Sequence, residues 1–130
     1  MSIELTATKT YDGPRRAVIQ ASAMAVDDAG PTELSLAPLV DISTLTPEPE
    51  QVRVSRIVGG VEYGVVELFW SATPPVRFAV LSGNALDFKY ESTGALRKPE
   101  DSDGNILIST TGFGPTSTFM LNIELVKRVT

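Results

Sequence analysis

The sequence predicts an all-β protein: a single antiparallel domain of the β-sandwich or jelly-roll type, with about eight strands and little or no helix. Three observations support this prediction. Apolar and polar residues alternate along short runs, and this period-two alternation is typical of half-buried strands. Turn residues separate the runs, drawn from 10 glycines and 9 prolines. No run combines an N-cap with an apolar stripe of helical spacing.

The most apolar stretch, residues 52–70, is expected to form the centre of the fold. Its two β-rich runs flank Gly59-Gly60, and a Gly-Gly pair between strands favours a two-residue hairpin turn, because such turns need positive φ. The second run is apolar at most positions, so we expect both of its faces to be covered. It ends in the single tryptophan of the chain. The aromatic residues expected in the core are Phe69, Trp70, Phe78 and Phe119.

Alternation predicts three further strands before this centre. Residues 3–9 alternate and predict a half-buried strand, which the following Asp-Gly-Pro turn ends. The alanines of residues 17–26 would permit a helix, but the pattern fits a strand better. Residues 32–36 predict a short strand that lies at an edge or bends, because Pro38 cannot donate a ladder hydrogen bond.

After the centre, the same pattern predicts strands at residues 76–81, 88–90, 106–111 and 118–129, with a turn at 82–87. The polar stretch 91–105 is longer than an ordinary connection of about 4–6 residues, and long loops are often contact-making.

Composition argues against several classes of partner. The net charge is −5, whereas binding to a nucleic-acid backbone requires clustered lysine and arginine. The basic residues occur in short pairs, at 15–16, 97–98 and 127–128, which are typical of solvated strand ends. No run approaches the roughly 18 apolar residues of a membrane span, and the N-terminal residues lack a signal-peptide pattern. Cysteine is absent, which fits a reducing compartment. We therefore expect neither nucleic acid nor membrane as a partner.

The sequence offers little catalytic chemistry. It contains no histidine and no phosphate-binding loop, so we expect no enzyme activity and no cofactor. Residues 101–105 place acidic oxygens at alternate positions, as a calcium loop does, but the terminal bidentate glutamate is missing, which favours an ordinary Asp-Gly-Asn turn and no metal site. Four carboxylates are candidates for acid–base chemistry, although nothing selects a pair: Glu62, Glu67, Asp87 and Glu91.

Four segments, in this order, carry a resemblance to a known group of proteins. They are Asp-Gly-Pro-Arg at 12–15, Trp-Ser-Ala-Thr at 70–73, Gly-Ala-Leu-Arg-Lys-Pro at 94–99 and Gly-Asn-Ile-Leu-Ile-Ser-Thr-Thr-Gly at 104–112. Nearly the whole chain resembles small structural proteins of tailed bacteriophages that are encoded near the major capsid protein. Ser71, Lys98 and Asn105 differ from the usual Asp, Asn and Asp of those patterns.

The resemblance implies a virion component, made in the host cytoplasm and located on the capsid surface. Its expected role is that of a cement or decoration protein that binds the major capsid protein and itself, as a dimer or trimer. The contacts are expected from an N-terminal extended arm at 1–5, the turn at 11–16, an acidic loop at 46–50 and the long loop at 92–103. The contact residues expected in these segments are Met1, Ser2, Ile3, Tyr11, Arg15, Arg16, Glu48, Glu50, Arg97 and Lys98. Two alternatives remain: a head–tail connector or tail component of the same particle, and a carbohydrate-binding module that uses Trp70 and Tyr90 as platforms.

Overall fold

The computed structural model describes residues 2–26, 33–46, 48–49, 51–90, 96–113 and 117–128. Eight antiparallel strands form one sheet that curls until it is nearly barrel-shaped, so the all-β prediction is confirmed. The strands are β1 (Ser2–Asp12), β2 (Arg16–Val26), β3 (Ala37–Val40), β4 (Gln51–Trp70), β5 (Val76–Lys89), β6 (Leu96–Arg97), β7 (Ile106–Thr111) and β8 (Thr118–Arg128). In these residues the one helical segment is the 3₁₀ turn Ile42–Thr44, and no helix has the length and apolarity needed to cross a membrane.

The long strand β4 is the centre of the sheet, as expected for residues 52–70. The strand order is β1-β2-β8-β4-β7-β3, and β5 and β6 pair with the other edge of β4. The first half of β4 pairs with β8 up to Glu62, and the second half pairs with β7 from Val65 onward. Strand β4 is therefore hydrogen-bonded along both edges. The expectation that both of its faces are covered is wrong, because one face is buried while the residues between the buried ones, such as Glu67 and Phe69, are only half-buried.

The predicted hairpin turn at Gly59-Gly60 is wrong, because β4 continues through both glycines. Gly59 pairs with Leu121 of β8 on one side and with Leu86 of β5 on the other. Its φ of 152° is rarely adopted by other residues, and a Cβ at this position would overlap the carbonyl oxygen of Met120. The glycine is needed for the close approach of β8 to β4, and a sequence pattern cannot distinguish that requirement from a turn.

The corner of the sheet lies at Tyr63 and Gly64, between the two halves of β4. Residues 62–65 of β4 face a single residue, Ser82, in the β5 ladder, so this segment bulges. Tyr63 has a φ of 59°, and its carbonyl accepts a hydrogen bond of 2.6 Å from the hydroxyl of Ser117. Gly64 lies against the ring of Phe113, where a Cβ would not fit. This bulge lets one strand pair with β8 and then β7, which folds the sheet over its own core.

Two other sequence predictions are corrected. The expected turn at 82–87 is part of the continuous strand β5, which bulges at Gly83 and Ala85 instead of reversing. The expected strand at 32–36 is absent from the described residues 33–36, and the strand occurs at Ala37–Val40. That strand contains Pro38 and ends the sheet, as expected for proline in a ladder. The strands at 17–26, 106–111 and 118–129 are confirmed within one residue at each end.

The core lies between the two inner faces of the curled sheet. Strand β8 contributes Phe119, Leu121, Ile123 and Leu125, all of which are buried, as their alternation predicts. Trp70 is also buried, and the ring of Phe78, which is half-buried, packs against it with centroids 4.8 Å apart. Phe69 is the exception to the predicted core. It is half-buried on the opposite face from Trp70, because successive residues of a strand point to opposite faces.

The edge strand β1 is less buried than its alternation predicts. The side chains of residues 6–11 are exposed on both faces, and Leu5 packs partly against the core. The reason is its place at the end of the sheet, where only β2 lies beside it. Such an edge leaves one row of backbone groups without a neighbouring strand.

The buried cation of Lys127 joins three distant segments at one end of the fold. Its ammonium, with a fully buried side chain, forms an ion pair with Asp12 and donates to the carbonyl oxygens of Gly13 (2.7 Å) and Thr46 (3.2 Å). These three acceptors match the three protons of an ammonium. Lys127 therefore does not belong to a solvated strand end, which corrects the expectation for the 127–128 pair.

Asp12 is held in its charged form by the same contacts. Partial burial raises the pKa of its carboxyl, but hydrogen bonds from Lys127 and the Thr46 N–H, together with the charges of Lys127 and Lys9, lower the pKa overall. The folded protein therefore favours the charged carboxylate of Asp12 over the neutral acid.

Replacing Gly59 with alanine is expected to destabilise the fold by about 3–5 kcal/mol, because a Cβ overlaps the β8 backbone and the φ is unfavourable. The matched control is Gly60→Ala. Its Cβ would lie 3.6 Å from the nearest atom, an ordinary contact, so we expect a change of no more than about 1 kcal/mol. Urea unfolding of both variants measures the difference. Equal destabilisation would contradict the assigned role of Gly59.

Replacing Asp12 with asparagine is expected to lower the free energy of unfolding at neutral pH by about 3 kcal/mol or more, because it leaves a buried ammonium without its counter-charge. Since the pKa of Asp12 is below its ordinary value of 3.8 in the fold, its contribution is present above pH 3.8 and disappears as the pH falls through the lowered pKa. The gap between wild type and D12N should therefore narrow in acid. Urea unfolding at a series of pH values tests this, and a constant gap would refute it.

Candidate functional site

The turn between β1 and β2, residues 11–16, is largely exposed and is hydrogen-bonded to β8, and we call it the tyrosine turn. The Gly13 N–H donates to the carbonyl of Arg16 at 2.8 Å and closes the turn. The ring of Tyr11, which is 55% exposed, covers Gly13 so closely that a Cβ there would overlap it. The Arg15 carbonyl accepts a hydrogen bond of 2.7 Å from the N–H of Lys127. Three predicted contact residues, Tyr11, Arg15 and Arg16, therefore lie together on an ordered exposed turn.

Strand register places three arginines in one row on the outer face of the sheet. Arg16 of β2 pairs with Val126 of β8, which pairs with Arg53 of β4, which pairs with Arg97 of β6. Directly paired residues point to the same face of a sheet, and neighbouring strands lie about 4.8 Å apart, so the row spans about 14 Å. We call Arg16, Arg53 and Arg97 the arginine row.

The sequence analysis did not select Arg53. Its alternation with Val52 and Val54, both buried, was the one signal that its side chain points away from the core. Nothing local indicated that β2, β8, β4 and β6 are neighbours. The structure thus brings Arg16 and Arg97, which are distant in sequence, to one surface and adds Arg53 between them.

Acidic side chains form ion pairs with one arginine of the row and with the nearby Arg56. Arg16 forms an ion pair with Glu124, one strand away. Arg56 binds Asp87 with both ends of its guanidinium, at 3.0 and 2.9 Å, and this hydrogen bonding holds the pKa of Asp87 below its ordinary value. These exposed pairs orient the side chains more than they stabilise the fold.

Thr46, the first residue of the acidic loop at 46–50, lies at the same end of the molecule as the tyrosine turn. The Thr46 N–H donates to Asp12 at 2.8 Å, and Lys127 donates to the carbonyl of Thr46, so residue 46 is fixed beside the turn. Glu48 follows it and is exposed. The other two predicted contact residues of these segments, Met1 and Glu50, lie outside the described residues. Ser2 and Ile3 belong to β1, where they pair with Val26 and Ala25.

Lys98, another predicted contact residue, is bonded within its own loop. Its ammonium donates to the carbonyl oxygens of Ser102 at 2.9 Å and Pro99 at 3.5 Å. The carboxylate of Asp103 accepts the N–H of Asn105 at 2.8 Å, which is the Asp-Gly-Asn turn that the sequence favoured. The Lys98 ammonium is thus hydrogen-bonded to two carbonyl oxygens of this loop. No group of three or more acidic, histidine or cysteine side chains in the described ranges is arranged to hold a metal ion.

The candidate carboxylates are dispersed. Glu67 forms an ion pair with Arg77 at 3.0 Å, and Asp87 is bound by Arg56. Glu62 is exposed at the corner of the sheet, and Glu91 lies outside the described residues. The structure therefore does not bring the three described carboxylates to one cleft.

The expected sugar-binding platform of Trp70 and Tyr90 does not form. Trp70 is 2% exposed and packs inside the core. Tyr90 is half-buried, and burial raises the pKa of its hydroxyl. Its ring stacks on Phe88 with centroids 6.5 Å apart, so the exposed aromatic surface at this edge belongs to the Phe88–Tyr90 pair.

Comparisons with family models, with curated proteins and with solved structures found no match to this chain.

Replacing Lys98 with methionine is expected to lower the free energy of unfolding by about 1–3 kcal/mol, because it removes a charged donor from the carbonyl of the buried Ser102. Lys89→Met is the matched control, since that side chain is 66% exposed, and it should change stability by less than about 0.5 kcal/mol. Excess calcium should not raise the melting temperature of the wild-type protein. A clear rise would mean that the loop binds a metal.

Proposed function

We propose that this protein is a capsid cement or decoration protein that attaches to the outer surface of the major capsid protein shell through its arginine row. The observation that carries the proposal is the row itself. A chain with a net charge of −5 places Arg16, Arg53 and Arg97 side by side on one face, next to the exposed Arg15. Opposite charges on separate surfaces orient a protein on its partner.

The extensive hydrogen bonding of the sheet supports a structural role. Strand β4 is hydrogen-bonded on both edges, and the tyrosine turn is anchored to β8 through Lys127. Binding surfaces placed on rigid elements lose little conformational entropy when they attach. Many weak contacts of this kind, repeated over the symmetric copies of a shell, give strong total attachment. The acidic remainder of the surface then faces solvent.

The experiment uses shells of the major capsid protein assembled without this chain. The wild-type protein is added, and the shell-bound fraction is measured by co-sedimentation. The double variant Arg53→Glu/Arg97→Glu is expected to bind about tenfold more weakly or worse, because charged hydrogen bonds at an interface are lost. Lys89→Glu carries the same kind of charge reversal outside the row and should bind like wild type.

Copy number in purified particles distinguishes the cement protein from the connector or tail component. A simple ratio to the major capsid protein, with hundreds of copies, supports the cement role. A count near about 5, 6 or 12, the orders of closed rings, would move the protein to the head–tail axis. Absence from particles, or equal binding by the double variant, would overturn the proposal.

A further inference from the structure

A groove on the outer face of the sheet is lined by methionine and by carboxylates. It has a volume of about 470 Å³, within the range of about 300–1,000 Å³ typical of binding pockets. Its defining residues are Glu4, Ser22, Met24, Gly60, Glu62 and Met120. We call it the methionine groove.

Strand register explains the shape of the groove. Glu4, Met24, Thr118 and Glu62 form one row across β1, β2, β8 and β4, so the two carboxylates stand at opposite ends, about 14 Å apart. In the next row, Met120 lies between Ser22 and Gly60. Gly60 has no side chain, and Asn84 of the β5 bulge rises beside it, with its Cα 3.6 Å from the position a Cβ would take.

The groove is apolar and negatively charged, and among the described residues its methionines remain exposed and its carboxylates remain without a counter-charge. Met24 is 59% exposed and Met120 is 52% exposed. Within the part of the chain that the structure describes, Glu4 and Glu62 form no ion pair and no side-chain hydrogen bond, and no lysine or arginine lines the groove. A complementary occupant therefore carries an apolar group beside a cation.

The tyrosine turn of the same chain has this chemistry. Tyr11 is 55% exposed, and Arg15 is an exposed cation that forms no ion pair with any described residue. Methionine sulfur makes favourable contacts with aromatic rings, and a guanidinium binds carboxylates through several donors. Arg97, the other exposed arginine without an ion pair in the described residues, lies on the face of the sheet beside Arg53 and has no exposed aromatic on its own strand.

We propose that the methionine groove of one copy binds the tyrosine turn of a second copy, with Tyr11 on the methionines and Arg15 between Glu4 and Glu62. Glu4 and Met24 lie toward one end of the β1–β2 hairpin, and the tyrosine turn is its other end. The groove and the turn are different surfaces, so the contact is head-to-tail and produces a ring or an open chain of copies. This self-association does not depend on attachment to a capsid.

The test measures the molar mass of the purified full-length protein by size-exclusion chromatography with light scattering, over a range of concentrations. Wild type is expected to associate as its concentration rises, and more weakly at high salt, because an exposed ionic contact is screened. Arg15→Glu and the groove variant Glu4→Lys/Glu62→Lys should each weaken association about tenfold or more.

Charge exchange provides the control for specificity. The triple variant Arg15→Glu/Glu4→Lys/Glu62→Lys restores opposite charges across the contact and should regain association, which a merely misfolded protein would not do. Lys89→Glu and Asp101→Lys reverse exposed charges outside the contact and should associate like wild type. Circular dichroism confirms that each variant is folded.

Three outcomes would overturn the inference: a wild-type monomer at every concentration, association unaffected by both charge reversals, or a folded triple variant that fails to regain it. The shell-binding proposal is tested through Arg53 and Arg97. Self-association is tested through Arg15 and the two glutamates of the groove. The two proposals can therefore be rejected separately.

Discussion

The arrangement of one end of the molecule depends on a single buried charge. Removing an ammonium from water costs several kcal/mol unless its protons are bonded and its charge is matched. Lys127 meets both conditions through Asp12 and Gly13 of one turn and Thr46 of a second segment, both of which are far from Lys127 in the sequence. If any of these acceptors moved away, the buried ammonium would lose a bond that it needs. The ammonium therefore holds the tyrosine turn, Thr46 and the end of β8 together. The tyrosine turn, one of the surfaces proposed for binding, lies at this point.

A second constraint is the length of β4. One strand of 20 residues pairs with β8, then with β7, and with β5 and β6 along its other edge. This is possible because Gly59 allows the β8 backbone to approach, and because Tyr63 and Gly64 bulge at the corner. The length of β4 determines where the proposed binding surfaces lie. The adjacency of β2, β8, β4 and β6 creates the arginine row, and the adjacency of β1, β2, β8 and β4 creates the methionine groove.

The two proposed surfaces differ in shape and charge, and each fits a different contact of the proposed cement protein. The arginine row is basic, which suits a partner surface of opposite charge. The methionine groove and the tyrosine turn are concave and convex, of opposite charge, and lie toward opposite ends of the β1–β2 hairpin, which suits contact between copies. A protein that holds a shell together would use both kinds of contact, since binding to neighbours multiplies the strength of each attachment.

Local pattern by itself determined the fold class, most strands and much of the core. The alternation of Phe119, Leu121, Ile123 and Leu125 predicts a buried face whatever the partner strand, since period-two geometry belongs to the strand itself. The Asp-Gly-Asn turn was equally predictable, because its hydrogen bond is local. Tertiary structure alone decided the role of Gly59 and the burial of Lys127. It also decided the recruitment of Arg53 to a row with Arg16 and Arg97. Each of these depends on which strands become neighbours, and that follows from non-local pairing that no window of sequence contains.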